Sequence, residues 1–173
     1  LFERACALRG FENFLLDVKT NRAYAAALMK RISDVQVEIA KGICGAGVDI
    51  AFTGGDYGTQ EDLIISHEDW RELELPGLLR IWEIYKNAGV PIMHHSCGNI
   101  MSLIPDLIDG GVNILNPIQH VMDPRVLASE FGQRLIFFGG IDSQGRLIVE
   151  TGQQSHALFT GSIVSVTPTT VSG

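Results

Sequence analysis

The chain has 173 residues, with 13 Lys plus Arg against 20 Asp plus Glu, a formal charge of −7, and 46% hydrophobic residues. The acidic balance argues against a nucleic-acid binder, which needs a basic face, and the apolar content is too high for disorder. No run approaches the roughly 18 apolar residues of a membrane span, and the N-terminal LFERACALRG carries charges where a signal peptide would be apolar, so a soluble cytoplasmic protein is expected.

Between Asn21 and Cys44 the apolar residues Leu28, Ile32, Val35, Ile39 and Ile43 recur at steps of 4, 3, 4 and 4, the stripe of a helix stopped by Gly45 and Gly47. The short run 48–52 then predicts a strand that opens into the loop Thr53-Gly54-Gly55-Asp56. Ser66 with Asp69 three residues on is a capping pair for a second helix, through Trp70, Leu73, Leu78, Ile81, Trp82 and Tyr85, bent near Pro76. Beyond it the spacing predicts a strand over 90–94, a helix over 100–108, a strand over 112–115, a helix starting at Asp123-Pro124 and a strand over 135–138.

Four alternations of strand and helix with near-continuous apolar strands predict a parallel sheet covered by helices. Polar residues cluster at every strand end: Asp56, Tyr57 and Gln60; His94, His95 and Cys97; Asn116 and Gln119; Asp142 and Gln144. In a barrel all such ends share one mouth, whereas in a doubly wound sheet only those near the switch point meet, which favours the barrel. A whole barrel takes about 250 residues, so four units predict a partial α/β (β/α)8 TIM barrel. Residues 1–144 form the barrel part; 145–173, rich in Ser, Thr and Gly, read either as a native β-rich or linker tail or, the preferred reading, as non-native sequence.

Three cysteines spaced far apart do not form a disulfide framework. Residues two apart on a strand point the same way, so His95 and Cys97 can both face the barrel axis while His94 and Ser96 face the helices. Imidazole with thiolate suits zinc, although a nearby His and Cys are by default buried structural residues. The pairs Gly54-Gly55 and Gly139-Gly140 fit no phosphate-loop pattern and are expected to give turns room. Cys6 and Cys44 read as small buried residues, and His67 and His120 as solvated.

The strings Gly55-Asp56-Tyr57-Gly58-Thr59-Gln60, His95-Ser96-Cys97-Gly98-Asn99, Ile114-Leu115-Asn116-Pro117-Ile118-Gln119 and Gly139-Gly140-Ile141-Asp142-Ser143-Gln144, in that order, resemble the uroporphyrinogen decarboxylase superfamily over about residues 1–144. The resemblance implies a (β/α)8 barrel of which this chain holds about strands four to seven. It also implies one of two enzyme branches: cofactor-free decarboxylases of porphyrin biosynthesis, or zinc-dependent corrinoid:thiol methyltransferases.

The His-x-Cys-Gly string is similar to the methyltransferase branch, in which His95 and Cys97 would bind zinc and a third ligand, a cysteine after the final strand, would lie downstream. An open zinc position would hold an acceptor thiol as thiolate and aim it at a methyl group on a corrinoid partner protein. Asp56, Tyr57 and Asp142 are the catalytic candidates, the two aspartates also being possible oxygen ligands, and Gln60, Asn116, Gln119 and Gln144 the candidates for binding the substrate, a small thiol or a tetrapyrrole. In the decarboxylase branch the same mouth would take an acidic tetrapyrrole, with Asp56 accepting from pyrrole N–H groups and no metal needed. A third expectation is an inactive half-barrel that survives by self-association through exposed sheet edges.

Overall fold

The computed structural model describes residues 1–140. Three helices come first: α1 (Phe2–Arg9), α2 (Phe11–Thr20) and α3 (Arg22–Gly45). The apolar stripe predicts the third of these, but only Ile32 of that stripe is buried: the helix turns Ala25, Met29, Ile32, Ser33 and Ala40 to the core and leaves Val35 and Ile39 exposed on its other side. Then follow β1 (Ala51–Gly54), α4 (His67–Leu73), α5 (Leu75–Asn87), β2 (Ile92–His95), a 3₁₀ turn (Met101–Leu103), α6 (Ile104–Gly110), β3 (Ile114–Asn116), α7 (Pro124–Phe131) and β4 (Ile136–Phe137).

The strands form one parallel sheet in the order β1-β2-β3-β4. Every strand starts later than the apolar run that announces it. Proline explains the first two: Ala51 pairs with Ile92 and its N–H donates to the Pro91 carbonyl, but Pro91 has no N–H to extend the ladder backward. The second predicted helix is two, broken at Glu74 rather than bent at Pro76, because Pro76 occupies the first turn of α5, where its missing N–H costs nothing. Ser66 caps α4 by accepting from the Asp69 N–H, and Asp123 caps α7 by accepting from the Arg125 N–H.

The two faces of the sheet differ. The row Thr53, His94, Leu115, Phe137 runs across the strands in register and lies under the helices, with the indole of Trp82 on α5 donating to the Thr53 hydroxyl at 3.2 Å. The next row, Phe52, Met93, Ile114, Ile136, lies on the opposite face and is left open by the described residues, Phe52 being 63% and Ile136 60% exposed. Helices on one face only are the mark of a barrel wall rather than of a doubly wound sheet, whose helices cover both. The described residues are thus a four-stranded sector of an α/β barrel, with its core between sheet and helices around Trp70, Trp82, Ile92, Leu107 and Leu115. Asp142, Gln144 and the expected tail over 145–173 lie outside the described residues.

Candidate metal centre

The site is built at the C-terminal edge of β2. Burial alternates strictly from Ile92 to Gly98, so His94 and Ser96 are fully buried toward the helices while His95 and Cys97 face the barrel axis. His94 is part of the wall: its Nδ1 lies 2.9 Å from the Thr53 hydroxyl, its ring stacks on Tyr57, and burial pushes its pKa down to about 3, with the chain's amino terminus and His95 adding to the effect. It is therefore a neutral imidazole, buried away from the mouth. Across the ladder, Gly54 pairs with His95, and a Cβ at Gly54 would come within 2.9 Å of the His95 Cβ.

The loop after β1 folds over the end of β2 and brings a carboxylate with it. Asp56 Oδ1 accepts from the Cys97 N–H at 2.9 Å and lies 3.4 Å from His95 Nε2, which is itself 3.6 Å from Cys97 Sγ. The donor atoms of Asp56, His95 and Cys97 all lie within 4.8 Å of one another. The Cys97 thiol is pushed up from its ordinary value by burial and then by the charge and hydrogen bond of Asp56, against which a hydrogen bond to Gln119 works. Without a cation the thiol keeps its proton; a bound cation would displace it and would offset the repulsion between the resulting thiolate and the Asp56 carboxylate.

Two of the three separations suit a tetrahedral cation. Zinc bond lengths and tetrahedral angles require about 3.5 Å between a sulfur and a nitrogen ligand and about 3.3 Å between a nitrogen and an oxygen ligand. The observed 3.6 Å and 3.4 Å match both.

The remaining site candidates divide. Asn116 stands beside His95 on β3, with its Oδ1 2.7 Å from His95 Nδ1, and Gln119 Oε1 accepts from the Gly98 N–H at 2.7 Å, so both join the centre. Tyr57 does not. It is 1% exposed, its hydroxyl donates to the buried Glu74 carboxylate at 2.7 Å, and burial beside that carboxylate holds its pKa well above the ordinary value, so it reaches no substrate from the mouth. Its residue type and its place next to Asp56 carry no sign of this; its ring packs in the helix layer, edge-on to Trp70 and stacked on His94.

Gln60 is exposed on the turn closed by Thr59 and Asp62, and takes no part in the hydrogen bonds described for the centre. Cys6 and Cys44 are only partly buried, because their helices pack at the margin of the core, and burial with the nearby Glu3 raises Cys6 to about 11. His67 is half-buried and paired with Asp106 at 2.6 Å rather than solvated. Sequence reasoning missed Glu74, which reads as a surface residue in Glu-Leu-Glu-Leu-Pro yet is fully buried in the break between α4 and α5.

A parallel barrel sector whose C-terminal edge gathers an imidazole, a thiol and a carboxylate defines the class: an α/β-barrel protein with its site where such enzymes place theirs. The family model described as Uroporphyrinogen decarboxylase (URO-D) matches residues 2–158, and the chain belongs to that family, whose members are enzymes, decarboxylases and methyltransferases among them. No curated protein and no solved structure matches the chain. Among the described residues no helix is long and apolar enough to cross a membrane.

Proposed function

We propose that the chain carries part of the active site of a zinc-dependent methyltransferase that moves a methyl group from a methyl-corrinoid, carried by a partner protein, to a small thiol. The observation that supports this is the convergence of His95 Nε2, Cys97 Sγ and Asp56 Oδ1 at ligand spacing. His95 and Cys97 would hold the metal, with Asp56 as the oxygen donor within this chain. When bound, zinc supplies the positive charge that keeps an acceptor thiol ionised at neutral pH.

The chain's residues supply the setting for that chemistry. Gln119 holds the Gly98 N–H and thereby the loop that carries Cys97, and Asp56 holds the Cys97 N–H. The acceptor sulfur forms its bond to the methyl carbon as the cobalt–carbon bond breaks, and the electron pair of that bond remains with the corrinoid. The thiol proton leaves to solvent.

The protein should carry about one zinc per chain by elemental analysis, and Cys97→Ala should remove most of it, since the soft ligand is lost. Equal zinc in both proteins, or none in either, would overturn the metal reading.

The family's namesake reaction is the second reading. Asp56 favours it: its carboxylate is 43% exposed at the mouth and free to accept from the pyrrole N–H groups of a tetrapyrrole. That reading leaves Cys97 without a chemical role. Turnover of uroporphyrinogen that survives both Cys97→Ala and a chelator would select it.

A further inference from the structure

The ring of His95 uses both nitrogens, and its neighbours determine which one carries the proton. Nδ1 lies 2.7 Å from Asn116 Oδ1, while the Asn116 amide nitrogen donates to the Phe138 carbonyl at 3.1 Å. Turning the amide over would set its oxygen against the Phe138 carbonyl, two acceptors face to face, so the oxygen belongs on the His95 side. An amide oxygen accepts and cannot donate. Nδ1 must therefore bear a hydrogen, and in the neutral ring Nε2 is the lone pair, pointing toward Cys97 Sγ and Asp56 Oδ1. The arrangement is built into the ladder, because His95 and Asn116 are register partners on β2 and β3 and both face the barrel axis.

From this network we infer that Asn116 is a positioning residue: it holds His95 as the Nδ1–H tautomer with Nε2 directed at the metal position, rather than contacting substrate. The inference rests on the metal reading above, but its tautomer part stands on the hydrogen bonds alone. Metal-ligating histidines owe their orientation and basicity to such a partner on the second nitrogen.

The test uses the 173-residue chain and two variants. Asn116→Leu keeps the volume and removes the acceptor; Asn116→Asp keeps an acceptor of similar size toward His95 and gives up the hydrogen bond to the Phe138 carbonyl. In metal-free protein labelled with ¹⁵N-histidine, long-range ¹H–¹⁵N spectra, with His95→Gln for assignment, should show His95 protonated at Nδ1 in the wild type and in Asn116→Asp, and mixed tautomers in Asn116→Leu.

Zinc affinity, read by competition with a chromophoric chelator, should fall by about 10–100-fold in Asn116→Leu and be restored in Asn116→Asp. Circular dichroism melts identify a variant that fails to fold, and the Asp variant then carries the comparison. An Nε2–H tautomer in the wild type, or zinc binding by a folded Asn116→Leu equal to wild type, overturns the inference. A wild type that shows the Nδ1–H tautomer but takes up no zinc overturns the metal reading and leaves the tautomer assignment standing.

Discussion

At the scale of single residues the centre depends on how closely two loop backbones approach. Gly98 sits at a φ of +83°, and a Cβ there would fall 2.2 Å from the Gly58 carbonyl carbon. Both the backbone conformation and the space demand glycine, which gives a physical reason for the glycine of the His-x-Cys-Gly string. Gly98→Ala should cost about 1–3 kcal/mol in urea unfolding and should weaken zinc binding as well, since Cys97 moves with the loop.

The raised Cys97 thiol makes a second prediction. A thiol held above its ordinary value is protonated at neutral pH, so zinc must displace that proton, and affinity should rise with pH by about tenfold per unit until the thiol ionises. Cys97→Ala should flatten that slope, as read by zinc titration at several pH values.

The pairing of His95 with Cys97 was legible, because alternation along a strand is local. Asp56 was readable as a strand-end residue of the same mouth, but its contact with Cys97 was not: it depends on where a loop from a neighbouring strand comes to rest, and Asp56 and Cys97 are 41 positions apart.

At the scale of elements, one carboxylate ties three helices together. Asp69 on α4 is buried and accepts from Ser66 Oγ at 2.6 Å, from Arg22 of α3 at 2.6 Å, and from Lys19 of α2. Burial alone would raise its pKa, but the hydrogen bonds from Lys19, Ser66 and Arg22 outweigh that and hold it far below the ordinary carboxylate range.

A depressed carboxylate contributes stability in full above its unfolded pKa, near 3.9, and that contribution is lost as the pH falls from there toward the folded value. Asp69→Asn should therefore cost about 1.5–3 kcal/mol at pH 7 and should flatten the decline of stability below about pH 4, both measurable by denaturant unfolding across pH. The capping role of Ser66 toward Asp69 was readable from spacing. The bonds to Lys19 and Arg22 were not, because nothing local announces that α2 and α3 fold back onto α4.

At the scale of the whole molecule, the sheet has one face under helices and one that the described residues leave open. The open row of Phe52, Met93, Ile114 and Ile136, with Phe138 beyond it at 57% exposure, is the wall of a barrel interior. These residues are neighbours in one row rather than single apolar side chains scattered over a surface. The 173-residue chain should therefore enhance the fluorescence of a hydrophobic dye such as ANS, and Phe52→Ser with Ile136→Ser should lower that signal while helix content by circular dichroism is kept. An unchanged signal would mean that this face is covered in solution.

Apart from α1, α2 and the break between α4 and α5, which it did not show, the sequence by itself determined the alternation of strands and helices from Asn21 onward, the parallel sheet, the polar residues gathered at the strand ends and the family resemblance. These follow from local apolar periodicity, from capping and turn residues, and from short motifs that hold their meaning within a few positions. Only the tertiary structure decided that helices cover one face, that Tyr57 turns inward to Glu74 while Asp56 reaches Cys97, and that Asn116 faces His95 rather than open solvent. Each of these is a contact between segments tens of residues apart, and packing chooses it: a side chain at a loop or strand end can face core or mouth, and the helix layer and the neighbouring strand determine which.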